Sequence, residues 1–278
     1  YGATQDAELG ALLQYWMTTY GNFEGILDEA DIQDINPFQT NMENAFGYEI
    51  QWGNTLADDN VGQWKSLANL LTSNLHIASY FNENMPNNEE GGLAVFRKYF
   101  AQVPSSDSTT LIPVTLKLGS EDDEGEFFGE VPLPSSTTDP DELKRIKLGA
   151  SVSVATITHE FGHQFDRWFA LSGLAEFKGE GDNLGGITGH LIQPVNGISR
   201  FFAITNRLNL DSSVYLNALN GFAAKQLYPQ EVWADIFMTA VLTPDLTRDT
   251  PHIFEPFTVN SFDFLSPDIA NIEDIINK

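Results

Sequence analysis

One pentapeptide in the sequence combines residue types and spacing that could do chemistry. It reads His159-Glu160-Phe161-Gly162-His163, an HExxH pattern. On a helix, two histidines four residues apart project from one face, so both imidazoles could bind a single Zn²⁺. Glu160 would lie beside the open coordination position, where its carboxylate could take a proton from a metal-activated water. We therefore expect His159 and His163 to bind one zinc ion per chain and Glu160 to be a general base.

A catalytic zinc ion needs a third protein ligand, and Glu231 is the strongest candidate. The pattern HExxHxxGxxH is excluded, because Asp166 and Phe169 stand where its glycine and third histidine would be. Glu231 begins an apolar stretch typical of a buried helix, where a carboxylate needs a partner. Asp235 follows four residues later on the same helical face. It could accept the second N–H of a ligating histidine and so select its tautomer.

The hydrophobic pattern predicts the elements that must position these side chains. Apolar residues recur with helical spacing over residues 152–170, which predicts an active-site helix, and over 229–242, which predicts the third-ligand helix. Thr110–Leu118 alternates apolar and polar residues, and Phe127–Leu133 is a second strand candidate. We expect these two strands to form a hairpin in an upper sheet spanning residues 110–133.

Outside these elements, the chain is predicted to be mostly helical with two loop-rich segments. Residues 1–105 form a helical N-terminal region whose role the sequence leaves open, and residues 106–278 form the catalytic domain. Within the first region, Phe23–Asn60 is expected to be irregular, apart from a short strand at Tyr48–Trp52. The glycine-rich Lys178–Gly197 segment predicts a long loop, either a lid or specificity loop or a plain surface insertion. Further helices are predicted within Val61–Tyr80 and over Leu93–Gln102.

Composition and charge restrict the classes of partner. The chain has 39 acidic and 14 basic residues, for a net charge of −25, which disfavours nucleic acid and anionic membrane surfaces. No apolar run reaches the ~18 residues of a membrane span, and Tyr1 is not followed by a signal-peptide pattern. Cysteine is absent, which excludes disulfides and thiolate chemistry. We expect an extracellular or cell-envelope protein of a bacterium that acts on a polypeptide, with its oligomeric state left open.

The two motifs together resemble those of the gluzincin metallopeptidases. His159–Asp166 followed by Glu231–Phe237 is most similar to the group that contains the catalytic domain of anthrax lethal factor and its bacterial relatives. This resemblance implies an α+β, zincin-like fold, with a small mixed sheet above the HExxH helix and a helical C-terminal lobe. One strand of that sheet could pair with an extended peptide substrate. The resemblance also implies roles for five residues: zinc binding by His159, His163 and Glu231, proton transfer by Glu160, and orientation of a ligating histidine by Asp235.

Members of this group also use a tyrosine or histidine to stabilise the oxyanion of the tetrahedral intermediate. Relatives place a tyrosine shortly before the zinc-binding glutamate, which favours Tyr228, three residues before Glu231. Tyr215, His252 and His190 stay open as alternatives.

These features predict a zinc-dependent endopeptidase, and two alternatives remain. The first is a zinc aminopeptidase, because Asn41–Asn44 resembles the G-x-M-E-N signature of one aminopeptidase family. The second is a non-catalytic zinc-binding or toxin-delivery module, or a pseudoenzyme. Ca²⁺ is a further candidate cofactor at the acidic stretch Glu121–Glu130, whose other interpretation is a solvated turn.

Overall fold

The computed structural model shows a mixed α+β protein. It describes residues 11, 14–15, 34–84, 91–105, 110–119, 129–131, 139–150, 152–177, 185–192, 194–195, 198–199, 230, 233–234, 237–238 and 241–242. The helices with defined bounds are α1 (Asn36–Phe46), α2 (Asn60–Asn84), α3 (Gly91–Tyr99), α4 (Pro140–Leu143), α5 (Val154–Leu171) and α6 (Gly186–Ile192). The strands are β1 (Glu49–Trp52), β2 (Gln102–Pro104), β3 (Leu111–Pro113), β4 (Thr115–Leu118), β5 (Gly129–Glu130), β6 (Arg145–Leu148), β7 (Pro194–Val195) and β8 (Ile198–Ser199).

The largest described sheet is mixed and has the strand order β1-β4-β6-β5. β1, β4 and β6 run parallel, whereas β5 pairs antiparallel with β6 at one edge. Ile50, Leu116 and Ile146 stand in register across the three parallel strands, and all three are buried. Because side chains alternate between the two faces of a strand, this row fills one face of the sheet. It belongs to the same hydrophobic core as the aromatic residues of α5.

The predicted hairpin between Thr110–Leu118 and Phe127–Leu133 is wrong. β6 lies between β4 and β5, so the two predicted partners do not pair with each other. The first run is also split at Val114, whose N–H donates to the carbonyl of Ala101 at 2.8 Å. The residues before Val114 pair with β2, and those after it join the four-stranded sheet. Alternation predicts a strand but not its partner, because pairing depends on segments that are distant in sequence.

Most helix predictions are confirmed where the structure describes them. α2 covers the helix expected within Val61–Tyr80, α3 the one expected over Leu93–Gln102, and α5 the active-site helix expected over 152–170. The short strand expected at Tyr48–Trp52 is β1. Among the described residues, no helix is both long enough and apolar enough to cross a membrane.

Two segments expected to be irregular contain helix instead. α1 lies within Phe23–Asn60, and it forms because Phe38, Met42 and Phe46 recur with helical spacing and are fully buried. α6 lies within the glycine-rich segment Lys178–Gly197, where the prediction of a continuous loop is therefore wrong. In both cases burial of a few side chains outweighs a local composition typical of loops.

The predicted domain boundary at residue 105 falls between two paired strands, β2 and β3. β1, from the N-terminal side of that boundary, pairs with β4 from the other side. α2 packs against α5, and one hydrophobic core includes residues from Ile35 to Val241. In the part of the chain that the structure describes, the two predicted regions thus share a sheet and a core.

Candidate metal centre

The HExxH motif lies in the middle of α5. The helix begins where Ser153 Oγ accepts the N–H of Thr156 at 3.1 Å, which caps one of the free donors of the first turn. It ends before Gly173, whose φ of 74° favours glycine. Between these limits, His159 and His163 lie one turn apart on the same face.

The two imidazoles converge on one point. The Nε2 atoms of His159 and His163 are 3.2 Å apart, and the ring planes are inclined by 81°. Two nitrogens that each lie about 2.0–2.1 Å from one tetrahedral zinc ion would be separated by about 3.3–3.4 Å. The distance between the imidazoles therefore fits two ligands of a single metal ion.

The three ionisable side chains of the motif are shielded from solvent to different degrees. Glu160 is 7% exposed and His163 is 6% exposed, whereas His159 is half-buried. The site is therefore enclosed on the His163 side and reaches solvent on the His159 side. A site with restricted water access strengthens electrostatic interactions within it.

Asp166 is a buried carboxylate on the face that carries the two histidines. Its Oδ1 accepts the backbone N–H of Thr188 in α6 at 2.7 Å. Burial raises the pKa of Asp166 to about 6, while the hydrogen bond from Thr188 and the charge of His163 oppose that rise. Gly186 approaches so closely that an added Cβ would lie 2.6 Å from Asp166 Oδ1. Asp166 therefore connects the glycine-rich segment to the face of α5 that carries the two histidines.

Arg167 is a buried cation on the face that carries Glu160. Its side chain is completely shielded from solvent, and burial lowers its pKa to about 9, although the negative charge of Glu160 opposes this effect. Sequence reasoning assigned no role to Asp166 or Arg167. The available signal was their position between Phe165 and Trp168, because charges inside an apolar helical pattern are costly unless they have partners.

A second helical segment packs against the HExxH turn. Its described residues have helical backbone conformation, as expected for the third-ligand helix. Trp233 Nε1 donates to the carbonyl of Gly162 at 3.0 Å, and a Cβ added to Gly162 would lie 2.9 Å from the Cα of Ala234. The absence of a side chain at Gly162 thus allows this second segment to approach α5 closely, at the turn between the two histidines. The described residues of this 230–242 segment are Gln230, Trp233, Ala234, Phe237, Met238, Val241 and Leu242.

Most of the other predicted site residues lie outside the described residues. These are the third ligand Glu231, its neighbour Asp235, and the oxyanion candidates Tyr228, Tyr215 and His252. His190 has helical backbone conformation in α6. Within the described residues, no group of three or more metal-binding side chains occurs. The acidic stretch expected as a Ca²⁺ site is described only at its end, in β5.

Glu43, the carboxylate of the aminopeptidase-like tetrapeptide, has partners of its own. It lies in α1, and its Oε1 accepts the backbone N–H of Ile50 at 2.8 Å and Nε2 of Gln39 at 3.1 Å. Gln39 Oε1 in turn accepts Nε1 of Trp52 at 2.9 Å. These hydrogen bonds hold β1 against α1.

Comparisons of the chain with models of known protein families, with curated proteins and with solved structures found no match. The resemblance to gluzincins therefore depends on the two motifs, His159–Asp166 and Glu231–Phe237.

Proposed function

We propose that this chain is a zinc-dependent endopeptidase of gluzincin type. The observation that carries the proposal is the 3.2 Å separation of the Nε2 atoms of His159 and His163, which suits two ligands of one zinc ion. The intact Glu160 between them supports catalysis, because zinc binding alone does not require that residue.

The 230–242 segment supports Glu231 as the third ligand. The segment packs against Gly162, in the turn between the two histidines. In a continuous helix, position 231 would lie on the same side as Ala234 and Met238, because residues three and seven apart share a face. Ala234 is the residue whose backbone approaches Gly162. His159, His163 and Glu231 would therefore hold the metal, and Asp235 would orient one of the histidines.

The proposed reaction gives each of these residues a task. Bound zinc would polarise the scissile carbonyl and lower the pKa of a water molecule. Glu160 takes a proton from the attacking water and delivers it to the leaving amine nitrogen. Tyr228 donates a hydrogen bond to the oxyanion.

The edge of the sheet offers a place for the substrate backbone. Among the strands that the structure describes, β5 stands at the end of the order β1-β4-β6-β5, and it contacts α5. An extended peptide could add to this edge by main-chain hydrogen bonds. Such pairing would place a scissile bond along the helix that carries the motif, which suits an endopeptidase.

The test is the zinc content of the purified protein, measured by elemental mass spectrometry. We expect about one zinc ion per chain, lost or sharply weakened in His163→Ala and Glu231→Gln. His76→Ala is the matched control, because His76 lies in α2, outside the motif, and its removal should leave the zinc content unchanged. A wild-type protein that holds no zinc even after reconstitution would refute the proposal.

Peptide cleavage separates the remaining alternatives. An endopeptidase should cut a peptide library whether or not the N-termini are blocked, whereas an aminopeptidase requires free N-termini. Zinc binding without cleavage of any peptide would instead favour the non-catalytic module.

A further inference from the structure

The carbonyl groups along β6, and that of the residue before it, point alternately toward β4 and toward β5. The carbonyls of Lys144 and Leu148 accept backbone N–H groups from the β4 side, from Thr115 at 2.9 Å and from Gly119 at 2.8 Å. Successive peptide groups of a strand point in opposite directions within the sheet. The carbonyl of Arg145 therefore points toward the β5 side of β6.

In the part of the chain that the structure describes, β5 ends before it reaches this carbonyl. Its pairing with β6 stops at Glu130, which stands opposite Lys147, two residues beyond Arg145. A side chain occupies the acceptor instead, because Nη1 of Arg167 donates to the carbonyl of Arg145 at 3.1 Å. Arg167 thus binds a backbone acceptor at the edge of the sheet, next to the end of β5.

The other donors of the Arg167 guanidinium bind within α5. Its Nε and Nη2 both donate to Oε1 of Gln164, at 2.8 Å for Nε. Nε2 of Gln164 donates in turn to the carbonyl of Gln102 in β2 at 3.1 Å. Both side chains are completely shielded from solvent, and a guanidinium presents its donors in a rigid, planar fork. The network therefore fixes α5 against β6 and β2 at once.

This link joins the helix that carries the HExxH motif to the strand that carries the edge of the sheet. Arg167 follows His163 by four residues, or about one helical turn, so the link is made close to the motif. β6 pairs with the edge strand β5, and β5 also contacts α5. A displacement of β6 relative to α5 would therefore displace the edge strand relative to the motif.

We propose that Arg167 is a positioning residue that holds the β5 edge of the sheet, and with it an extended peptide substrate, at a fixed distance and register from the motif. This inference rests on the proposed function, in which such a substrate adds to β5. Unpaired groups at a sheet edge are templates for pairing, so occupation of the Arg145 carbonyl also removes a position at which an added strand could pair out of register. Arg167 thereby determines which bond of the substrate reaches the metal.

The first experiment measures the link itself by amide hydrogen exchange. The N–H of Lys147 faces β5, because it shares the direction of the Lys147 carbonyl. In Arg167→Met, this amide should exchange roughly tenfold faster than in the wild type, since the edge of the sheet opens more often. The N–H of Glu49, which donates to the carbonyl of Val114 at 2.9 Å near the opposite edge, is the internal control and should not change. Equal changes at both amides, or no change at Lys147, would overturn the link.

The second experiment compares cleavage of one long peptide by Arg167→Met, Arg167→Lys and the control Arg97→Met with cleavage by the wild type. Arg97 of α3 also donates to a backbone carbonyl, that of Ala45, and its loss should change nothing. Arg167→Met should lower kcat/KM per zinc-loaded molecule by roughly 10²-fold, because small misplacements of the reacting groups are costly. It should also spread the cuts over neighbouring bonds, because the register is less strictly specified. Arg167→Lys, which keeps the charge and one donor group, should lie between the two.

The spread of cuts distinguishes positioning from a merely structural role. A structural role would lower the fraction of folded enzyme but leave kcat/KM per zinc-loaded molecule and the cleaved bond unchanged, and that result would overturn the inference. If Arg167→Met does not fold, Arg167→Lys decides. A single ammonium group does not reproduce the planar fork that binds Gln164 and Arg145 together, so wild-type exchange and cleavage in Arg167→Lys would contradict the inference.

The two experiments separate failure of this inference from failure of the proposed function. A wild-type protein that cleaves nothing would remove the proposed function, while exchange at Lys147 would still establish or refute the link between α5 and β6. A wild-type protein that cleaves peptides, with the same cuts and rates in the folded Arg167 variants, would keep the function and remove the inference.

Discussion

α2 and α5 pack against each other and both bury polar side chains, but those side chains differ in kind. The buried polar residues of α2 are neutral and bind neighbouring groups. Gln63 Nε2 donates to the carbonyl of Leu56 at 2.7 Å, and Asn74 Nδ2 donates to the hydroxyl of Tyr48 at 2.6 Å. α5 instead buries the ionisable residues Glu160, His163, Asp166 and Arg167.

The neutral side chains of α2 hold neighbouring structural elements together through hydrogen bonds, whereas the ionisable side chains of α5 are of types that could take part in a reaction. A buried neutral group with a hydrogen-bond partner costs little, and most proteins contain many of them. A buried charge is expensive even when it is paired, so several on one helix need a compensating benefit. Clusters of ionisable groups with perturbed pKa values are typical of functional sites. Burial shifts the pKa values of Asp166 and Arg167, so α5 is the stronger candidate for a functional helix.

The largest expected effect follows from neutralising Glu160, the proposed base on α5. Glu160→Gln should lower peptidase activity by roughly 10²- to 10⁴-fold, because it removes proton transfer. The zinc content per folded molecule should stay at the wild-type value, since Glu160 is not a ligand in the proposed site. Activity is therefore measured per zinc-loaded molecule. Substantial turnover in this variant would show that another group is the base.

The next effect concerns Asp166, the carboxylate beside the proposed metal ligands. Asp166→Asn keeps an oxygen that can accept the N–H of Thr188, but it removes the negative charge that interacts with His163. We expect zinc affinity to fall by roughly 10- to 100-fold, as for other groups that support metal ligands. Without metal at pH 7 the variant should be at least as stable as the wild type, because it buries no charge. Chelator competition and urea unfolding measure the two quantities, and unchanged affinity would contradict the interpretation.

A smaller effect tests the contact between α5 and the 230–242 segment. In a helix interior, Gly→Ala alone stabilises by up to about 1 kcal/mol. At Gly162 the added Cβ would lie 2.9 Å from the Cα of Ala234 and 3.2 Å from its carbonyl oxygen. We therefore expect Gly162→Ala to destabilise the protein by about 1–3 kcal/mol. Urea unfolding gives the sign directly, and a more stable variant would disprove the close packing.

The last effect is a change in stability with pH, which tests the neutral contact between Tyr48 and Asn74 of α2. Burial raises the pKa of Tyr48 well above its ordinary value, with Glu43 adding to the rise and Asn74 opposing it. Above a pH of about 10 the unfolded state loses the phenol proton and the folded state keeps it, so stability falls by up to about 1.4 kcal/mol per pH unit.

Tyr48→Phe cannot lose that proton. At pH 7 it should be less stable than the wild type by about 1–3 kcal/mol, because Asn74 loses its partner. The difference should narrow above a pH of about 10, and zinc content should not change. If the difference in unfolding free energy between Tyr48→Phe and the wild type stayed constant across this pH range, the fold would not raise the pKa of Tyr48.

Local features of the site could be predicted from the sequence. The spacing of His159 and His163 places both imidazoles on one face, and the helical period of the aromatic residues defines α5. Each of these depends on interactions within a few residues. The assignments of Glu231 and Tyr228 stay predictions.

Only the tertiary structure decided which strands pair and which charges are buried. β6 separates β4 from β5, although the sequence places β5 directly after β4. Asp166 is buried where α6 folds back on α5, and Arg167 is buried where it donates to the carbonyl of Arg145 in β6. The placement of His159 and His163 on one face is local, since a helix repeats every 3.6 residues regardless of its surroundings. Burial of a charge is not local, because its cost depends on groups that the chain brings together from distant positions.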